Sequence, residues 1–391
     1  MWRNVASNGI MLIIALMLGA AVLVTWAKGR YEAAGPLTEA ICLTVDRGGS
    51  MAKVSEDLAA KGAITEALIF RQGAKFEKKD AQLKAGSFLI TEGASMRDIV
   101  ERITGSGVSS CGTEILYRLR IAGPSVQVRD FDPETGGFKT VAEFDPREVG
   151  TDLPAEYKEV KAEPGTRIRV QVVDGVTSWQ VVEGLKAAEF LTGTIAEVPG
   201  EGRIAPESYE VQDGADRAQL LARMVELQDR RLAEAWANRS EGVLVSTPEQ
   251  ALILASLIEK ETGVAAERPV VSSVLANRIR SNMRLQIDSS VEYGVSKGQG
   301  PLGRGLRRSE LDRDTPYNLY TRNGLPPGPI ANPGLASIQA AVNPASTDFL
   351  YFVADGTGGH IFAATLAEHN ANVAKWRQIE AERARGTAQG N

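Results

Sequence analysis

Soft metal ligands are scarce: two cysteines and two histidines in 391 residues. No Cys-x-x-Cys pair or Cys/His cluster occurs, and His360 and His369 lie too far apart for the i,i+4 pair by which one helix holds a metal. No metal and no cofactor is therefore expected. A basic surplus is also missing. Against 44 Lys and Arg stand 49 Asp and Glu, a net charge of −5, with no basic stripe, so nucleic acid is not an expected partner. A nucleophile elbow, a phosphate loop and a dinucleotide fingerprint are absent, which removes their enzyme classes. No internal repeat is present. The remaining composition, 43% hydrophobic and 24% charged, is that of a chain that packs.

Charge is missing in one place for a different reason. Between Arg3 and Lys28 no residue is charged, and the run from Gly9 to Trp26 is almost wholly apolar. A helix of about 20 such residues crosses a hydrocarbon core, and Trp2 and Trp26 sit where interfacial aromatics stand. A cleaved signal peptide is the competing reading. Its apolar run is shorter, about 7–15 residues, and ends at a small-x-small site, for which Ala20-Ala21 is only a hint. The expectation is a retained, single N-terminal transmembrane helix over 8–27, with a tail at 1–7 and a linker at 28–41.

A small α/β module is expected at 42–108: a strand at Ile41 to Val45, helical spacing at Met51 to Lys61 and Ile64 to Phe70, a strand at Ala85 to Ile90, and a helix opened by Ser95. Residues 109–166 read as a β-rich insertion with turns and no chemistry. Residues 167–377 mix strands and helices, and 378–391 read as a flexible polar tail. The fold class is α+β. Cys42 begins the small module and Cys111 lies just past its end, so a bridge could tie it off if the domain is exported.

Thr247-Pro248-Glu249-Gln250 is a strong helix start and Gly263 a stop, so one helix is expected from Pro248 to Thr262. Its run from Ala251 to Ile258 is apolar except for Ser256, so most of its sides should be buried. At 100° per residue Glu261 falls on the stripe of Leu254, Leu257 and Ile258, whereas Glu259 lies about 160° away. Both the apolar surroundings and the negative end of the helix favour a neutral Glu261, which suits a general acid. A solvated helix end paired with Lys260 is the bland alternative.

The words that follow are Asn277-Arg278-Ile279, Met283 to Asp288, Val291 to Gly294, Thr315 to Tyr320, Gly324 to Gly334, Asn343-Pro344-Ala345, Tyr351 to Asp355, and Gly358-Gly359-His360-Ile361-Phe362. In this order the chain resembles the YceG-like family, the MltG-type endolytic murein transglycosylases. The resemblance is dense from Ala255 to Asn370, returns at Val173 to Leu185 and Ala205 to Glu210, and weakly makes 42–108 a LysM-like module. It implies a C-terminal catalytic domain at 167–377, in the periplasm of a cell whose inner membrane holds the N-terminal helix. It also implies cleavage of the MurNAc–GlcNAc β-1,4 bond within peptidoglycan strands, leaving 1,6-anhydroMurNAc ends. Peptidoglycan is then the partner, with cell-wall synthases as further candidates.

The family's catalytic glutamate maps to Glu261, with Glu259 the alternative. Gln286, Asp288, Tyr317, Asn318, Tyr320 and Asn332 are the residue types that line a sugar cleft. Two other readings remain open: a muramidase-type hydrolase using Asp288 as its second carboxylate, and a wall-binding scaffold without activity.

Overall fold

The computed structural model describes residues 2–46, 48–105, 111–132, 135–149, 152–163 and 166–389, and their side chains except those of 2–10, 12, 13, 384 and 386–389. The chain divides into two units. The first comprises Met1–Ile115, Val128–Ala142 and Pro154–Arg167, and the second Leu116–Gln127, Glu143–Leu153 and Ile168–Asn391.

The first unit opens with helix α1 (Trp2–Glu32). Strand β1 (Ile41–Val45), helices α2 (Met51–Ala60) and α3 (Ala67–Phe76), strand β2 (Gly86–Ile90) and helix α4 (Met96–Thr104) follow. The two strands pair antiparallel, Ile41 opposite Ile90 and Val45 opposite Gly86. Leu43, Val45, Val54, Leu58, Phe70, Phe88, Ile99 and Ile103 form the core between strands and helices. Ser95 starts α4 with a capping box: its hydroxyl accepts the Asp98 N–H while Asp98 accepts the Ser95 N–H. A disulfide joins Cys42 to Cys111, with Cα atoms 5.8 Å apart.

Among the described residues no helix is long and apolar enough to cross a membrane. This overturns the transmembrane helix expected over 8–27, and with it the single-pass inner-membrane placement. The last turn of α1 belongs to a folded core instead. Tyr31 is buried against α3, Arg30 pairs with Glu66 at 2.9 Å, and Glu32 pairs with Arg97 at 2.8 Å.

Strands β3 (Glu114–Arg120), β4 (Gly123–Asp132) and β5 (Gly137–Phe144), helices α5 (Pro146–Val149) and α6 (Ala155–Ala162) and strand β6 (Arg167–Val172) come next. Then follow α7 (Ser178–Ala187), β7 (Leu191–Thr192), β8 (Ser208–Val211), β9 (Ala215–Asp216) and α8 (Arg217–Ala237). Five of the strands form a sheet in the order β5-β4-β3-β6-β8.

The last third of the chain carries α9 (Pro248–Glu261), a 3-10 turn (Ala265–Glu267), α10 (Arg268–Arg280), α11 (Asp288–Ser296), α12 (Arg308–Leu311) and α13 (Leu335–Val342). The hairpin β10 (Tyr351–Ala354) and β11 (His360–Ala363) and the helix α14 (Leu366–Gln389) close it. Helix α9 is the centre of this unit, packed on α8, α10, α11 and α13. Its Leu252, Leu254, Leu257 and Ile258 share one core with Val271, Leu275, Leu285, Ile287 and Ile338. Helix α14 covers most of the stretch expected as a flexible tail. Its Ile379 lies against Gly356, and Arg383 donates to the Gly356 carbonyl, which fastens the helix to the β10–β11 turn.

Candidate active site

Helix α9 is set at both ends by side chains. At its start the Thr247 hydroxyl accepts the Gln250 N–H at 3.2 Å, and the Gln250 amide oxygen accepts the Ser246 N–H at 2.8 Å. At its end the stop comes one residue earlier than Gly263 suggests. Thr262 turns extended at φ −145° and is itself buried. Its hydroxyl donates to Glu267 Oε2 at 2.9 Å and accepts the Val264 N–H at 3.0 Å. Glu261 is thus the last helical residue, held on a rigid rod.

The two glutamates of this helix end have different surroundings. Glu259 Oε2 accepts the Gly334 N–H at 3.0 Å, and Oε1 pairs with Arg268 at 3.4 Å, with only 5% of the side chain exposed. Gly334 precedes α13, and a Cβ there would stand 2.6 Å from Asp174 Oδ1. Burial, reinforced by the Glu259 charge, raises the Asp174 pKa. Glu259 therefore joins α9, α10 and the entry to α13.

Glu261 accepts a hydrogen bond from the Ser289 hydroxyl at 3.3 Å. Burial among the α9 and α11 side chains pushes its pKa up to about 7. The neighbouring Asp288 charge pushes the same way, while the Ser289 hydroxyl, His360 and Arg278 pull against it. A carboxyl that titrates near neutrality can hold a proton, release it and take it back.

The approach to α11 shows which side chains stand free beside it. Leu285 and Ile287 are buried while Gln286 and Asp288 are exposed. Gln286 is left-handed, φ +54°, with its N–H on the Leu319 carbonyl. Arg278 fixes this segment from α10, donating to the Leu285 carbonyl at 2.8 Å and the Leu350 carbonyl at 2.6 Å. The Tyr320 hydroxyl donates to Asp288 Oδ1 at 2.5 Å. Asp288 is also the first residue of α11.

Of the residues expected to line a cleft, Asp288 and Tyr320 thus lie beside Glu261, and Gln286 projects from the same loop. Tyr317 packs instead on Tyr293, rings 5.0 Å apart. Asn318 and Asn332 are turned inward, both fully buried. The Asn318 amide donates to the Leu311 and Arg313 carbonyls, and its oxygen accepts the Tyr320 N–H. Asn332 donates to the Val176 carbonyl and accepts from Ser178 Oγ and the Ile204 N–H. They satisfy loop backbone that has no ladder of its own.

Four residues around Glu261 carried no assigned role in the sequence: Ser289, Arg278, His360 and Glu267. His360 and Arg278 stand inside recognised words, a signal that could have marked them. Glu267 has no such mark.

A family model described as the YceG-like family matches residues 43–375. The chain is 28% identical over 347 residues to an endolytic murein transglycosylase of Streptococcus pneumoniae strain D39, covering 86% of this chain and 58% of that protein. It is 37% identical over 172 residues to an endolytic murein transglycosylase of Bacillus subtilis strain 168, covering 44% of this chain and 46% of that one. The chain thus spans about half the length of the relatives it matches. A crystal structure of a yceG-like protein from Listeria monocytogenes aligns with a TM-score of 0.44 at 24% identity, over 85% of this chain and 98% of that one.

Proposed function

The chain belongs to the YceG-like family, and on that premise we propose that it is an endolytic murein lytic transglycosylase whose single acid–base group is Glu261. The relatives named above carry that activity in their names. The observation that carries the assignment is the contrast between two carboxyls on one helix end: Glu259 is bound into the fold, and Glu261 is held near neutrality with one hydroxyl for company.

Ordinary glycosidases need two carboxyls, one as acid and one as base or nucleophile. Here the substrate replaces the second. Glu261 gives its proton to the glycosidic oxygen as the bond from that oxygen to MurNAc C1 breaks. The C6 hydroxyl oxygen of the same MurNAc closes onto C1, and its proton returns to the Glu261 carboxylate. The products are a GlcNAc-started fragment and a 1,6-anhydroMurNAc end, and the enzyme is regenerated. Gln286, Asp288 and Tyr320 offer an amide, a carboxylate and a ring with a polar tip to the sugars. The first unit, with two helices between paired antiparallel strands, suits a LysM-like module that holds the strand, and cell-wall synthases are the protein partners in keeping with such a reaction.

The test is Glu261→Gln on uncrosslinked glycan strands. Gln keeps the size but cannot deliver a proton, so release of anhydro-ended fragments should fall by about 10²–10⁴-fold or more. Full activity in that variant refutes the single-glutamate reading. Reducing MurNAc ends from the unaltered protein point to a hydrolase using Asp288, and strand binding without any turnover to a scaffold.

A further inference from the structure

Glu267 ends the 3-10 turn after Glu261, and its carboxylate gathers three donors. Thr262 Oγ1 meets Oε2 at 2.9 Å, His360 Nδ1 meets the same oxygen at 2.8 Å, and the His360 backbone N–H meets Oε1 at 2.8 Å. Two donors on one oxygen place the imidazole within about 6 Å of the Thr262 hydroxyl, and Thr262 is bonded directly to Glu261. The fit is close: a Cβ on Gly359 would stand 2.6 Å from Glu267 Oε1. Phe352 flanks the ring edge-on at 5.2 Å, and Phe362 lies at 6.3 Å. Burial raises the Glu267 pKa, but the hydrogen bonds from the His360 side chain and backbone and from Thr262 outweigh it and hold the carboxyl ionised. An ionised acceptor fixes the proton on Nδ1 and leaves Nε2 as the free nitrogen.

We propose that His360, clamped by Glu267, is a positioning residue that sets the charge on Glu261 during the proton cycle. This rests on Glu261 being the acid. The charged and titratable groups facing Glu261 are Asp288 from α11, Tyr320 from the following loop, Arg278 from α10 and His360 from β11; Glu267 and Asp355 face His360 and the adjoining Gly359. Arg278 spends its guanidinium on the carbonyls of Leu285 and Leu350. His360 does not: among the described residues no hydrogen bond reaches its Nε2. When Glu261 gives up its proton, a carboxylate forms at a site where burial disfavours its charge. A cationic imidazole stabilises that carboxylate, and an imidazole changes charge between pH 5 and 8.

The experiment is the pH profile of kcat/KM for release of anhydro-ended fragments from the full chain, in His360→Gln, Glu267→Gln and the double variant. Loss of the positive charge lets Glu261 keep its proton to higher pH, so the alkaline limb moves up by about half a unit or more. Glu267→Gln leaves the imidazole in place but unclamped, moves the limb in the same direction, and adds nothing in the double variant. A purely structural role lowers the rate at every pH without moving the limb. An unmoved limb in either folded single variant overturns the proposal. Glu261→Gln is measured alongside. If it is inactive while the limb stays put, only the role of His360 falls; if it is fully active, the assignment of the acid falls first.

Discussion

Glu259 and Glu261 stand two residues apart and should fail in opposite ways when each becomes Gln. In Glu259→Gln the amide oxygen can still accept the Gly334 N–H, but Arg268 loses its counter-charge, and that pair is only 5% and 11% exposed. Removing one partner of a buried ion pair costs about 3–5 kcal/mol. Two things reduce this: Arg268 keeps its bond to Ser337 Oγ at 3.1 Å, and Asp174 is relieved of a like charge. A net loss of about 2–3 kcal/mol remains, which for a unit of this size lowers Tm by about 5–10 °C. Cleavage below the transition should stay within roughly tenfold of the parent, because the acid is untouched. Glu261→Gln should show the reverse, an inactive protein with Tm unchanged or raised, since a carboxyl is removed from surroundings that disfavour its charge. Scanning calorimetry and fragment release on both variants decide the matter. A Glu259→Gln protein that melts with the parent yet cuts nothing refutes the division of roles.

The raised pKa of Glu261 also predicts how stability varies with pH. A free carboxyl titrates near 4.5 and this one near 7, so the folded state binds the proton more tightly. The stability from this group is complete below pH 4.5 and is lost as pH rises through 7, by about 3 kcal/mol; urea titrations of Glu261→Gln should lack that decline, and an identical decline contradicts the shift. Reduction of the disulfide frees a loop of 69 residues, which in the chain-entropy model costs about 4 kcal/mol. Thermal melts with and without reductant should show the loss in the first unit, and equal melts would falsify it.

Local signals were readable in the sequence wherever the physics is local. The start of α9 at Thr247-Pro248 and the opening of α4 at Ser95 each depend on residues within one turn, and both stand as expected. The separation of Glu261 from Glu259 followed from helical spacing alone, although what occupies Glu259 did not: Arg268 is nine residues on and Gly334 is seventy-five. Asn318 and Asn332 show the limit. As residue types they suit a sugar, but the loops needed their amides more, and Asn332 meets Ser178 from 154 residues away. Glu267 was invisible for the same reason, since its importance comes from His360, 93 residues on. The reading of 8–27 as a membrane span weighed a local apolar run, whereas among the described residues no helix is long and apolar enough to cross a membrane.

Glu261, the proposed acid, is the last residue of α9, and the hydroxyl that meets it sits in the first turn of α11. The reacting geometry is therefore fixed where two rods abut, with no flexible segment carrying either group. The loop from Lys297 to Arg307 leaves the far end of α11 and is tied down there: the buried Gly298 carbonyl accepts Thr177 Oγ1, and Glu292 accepts the Leu302 N–H. Changes confined to the exposed run from Gly303 to Gly305 therefore leave that junction in place, and with it the proposed acid.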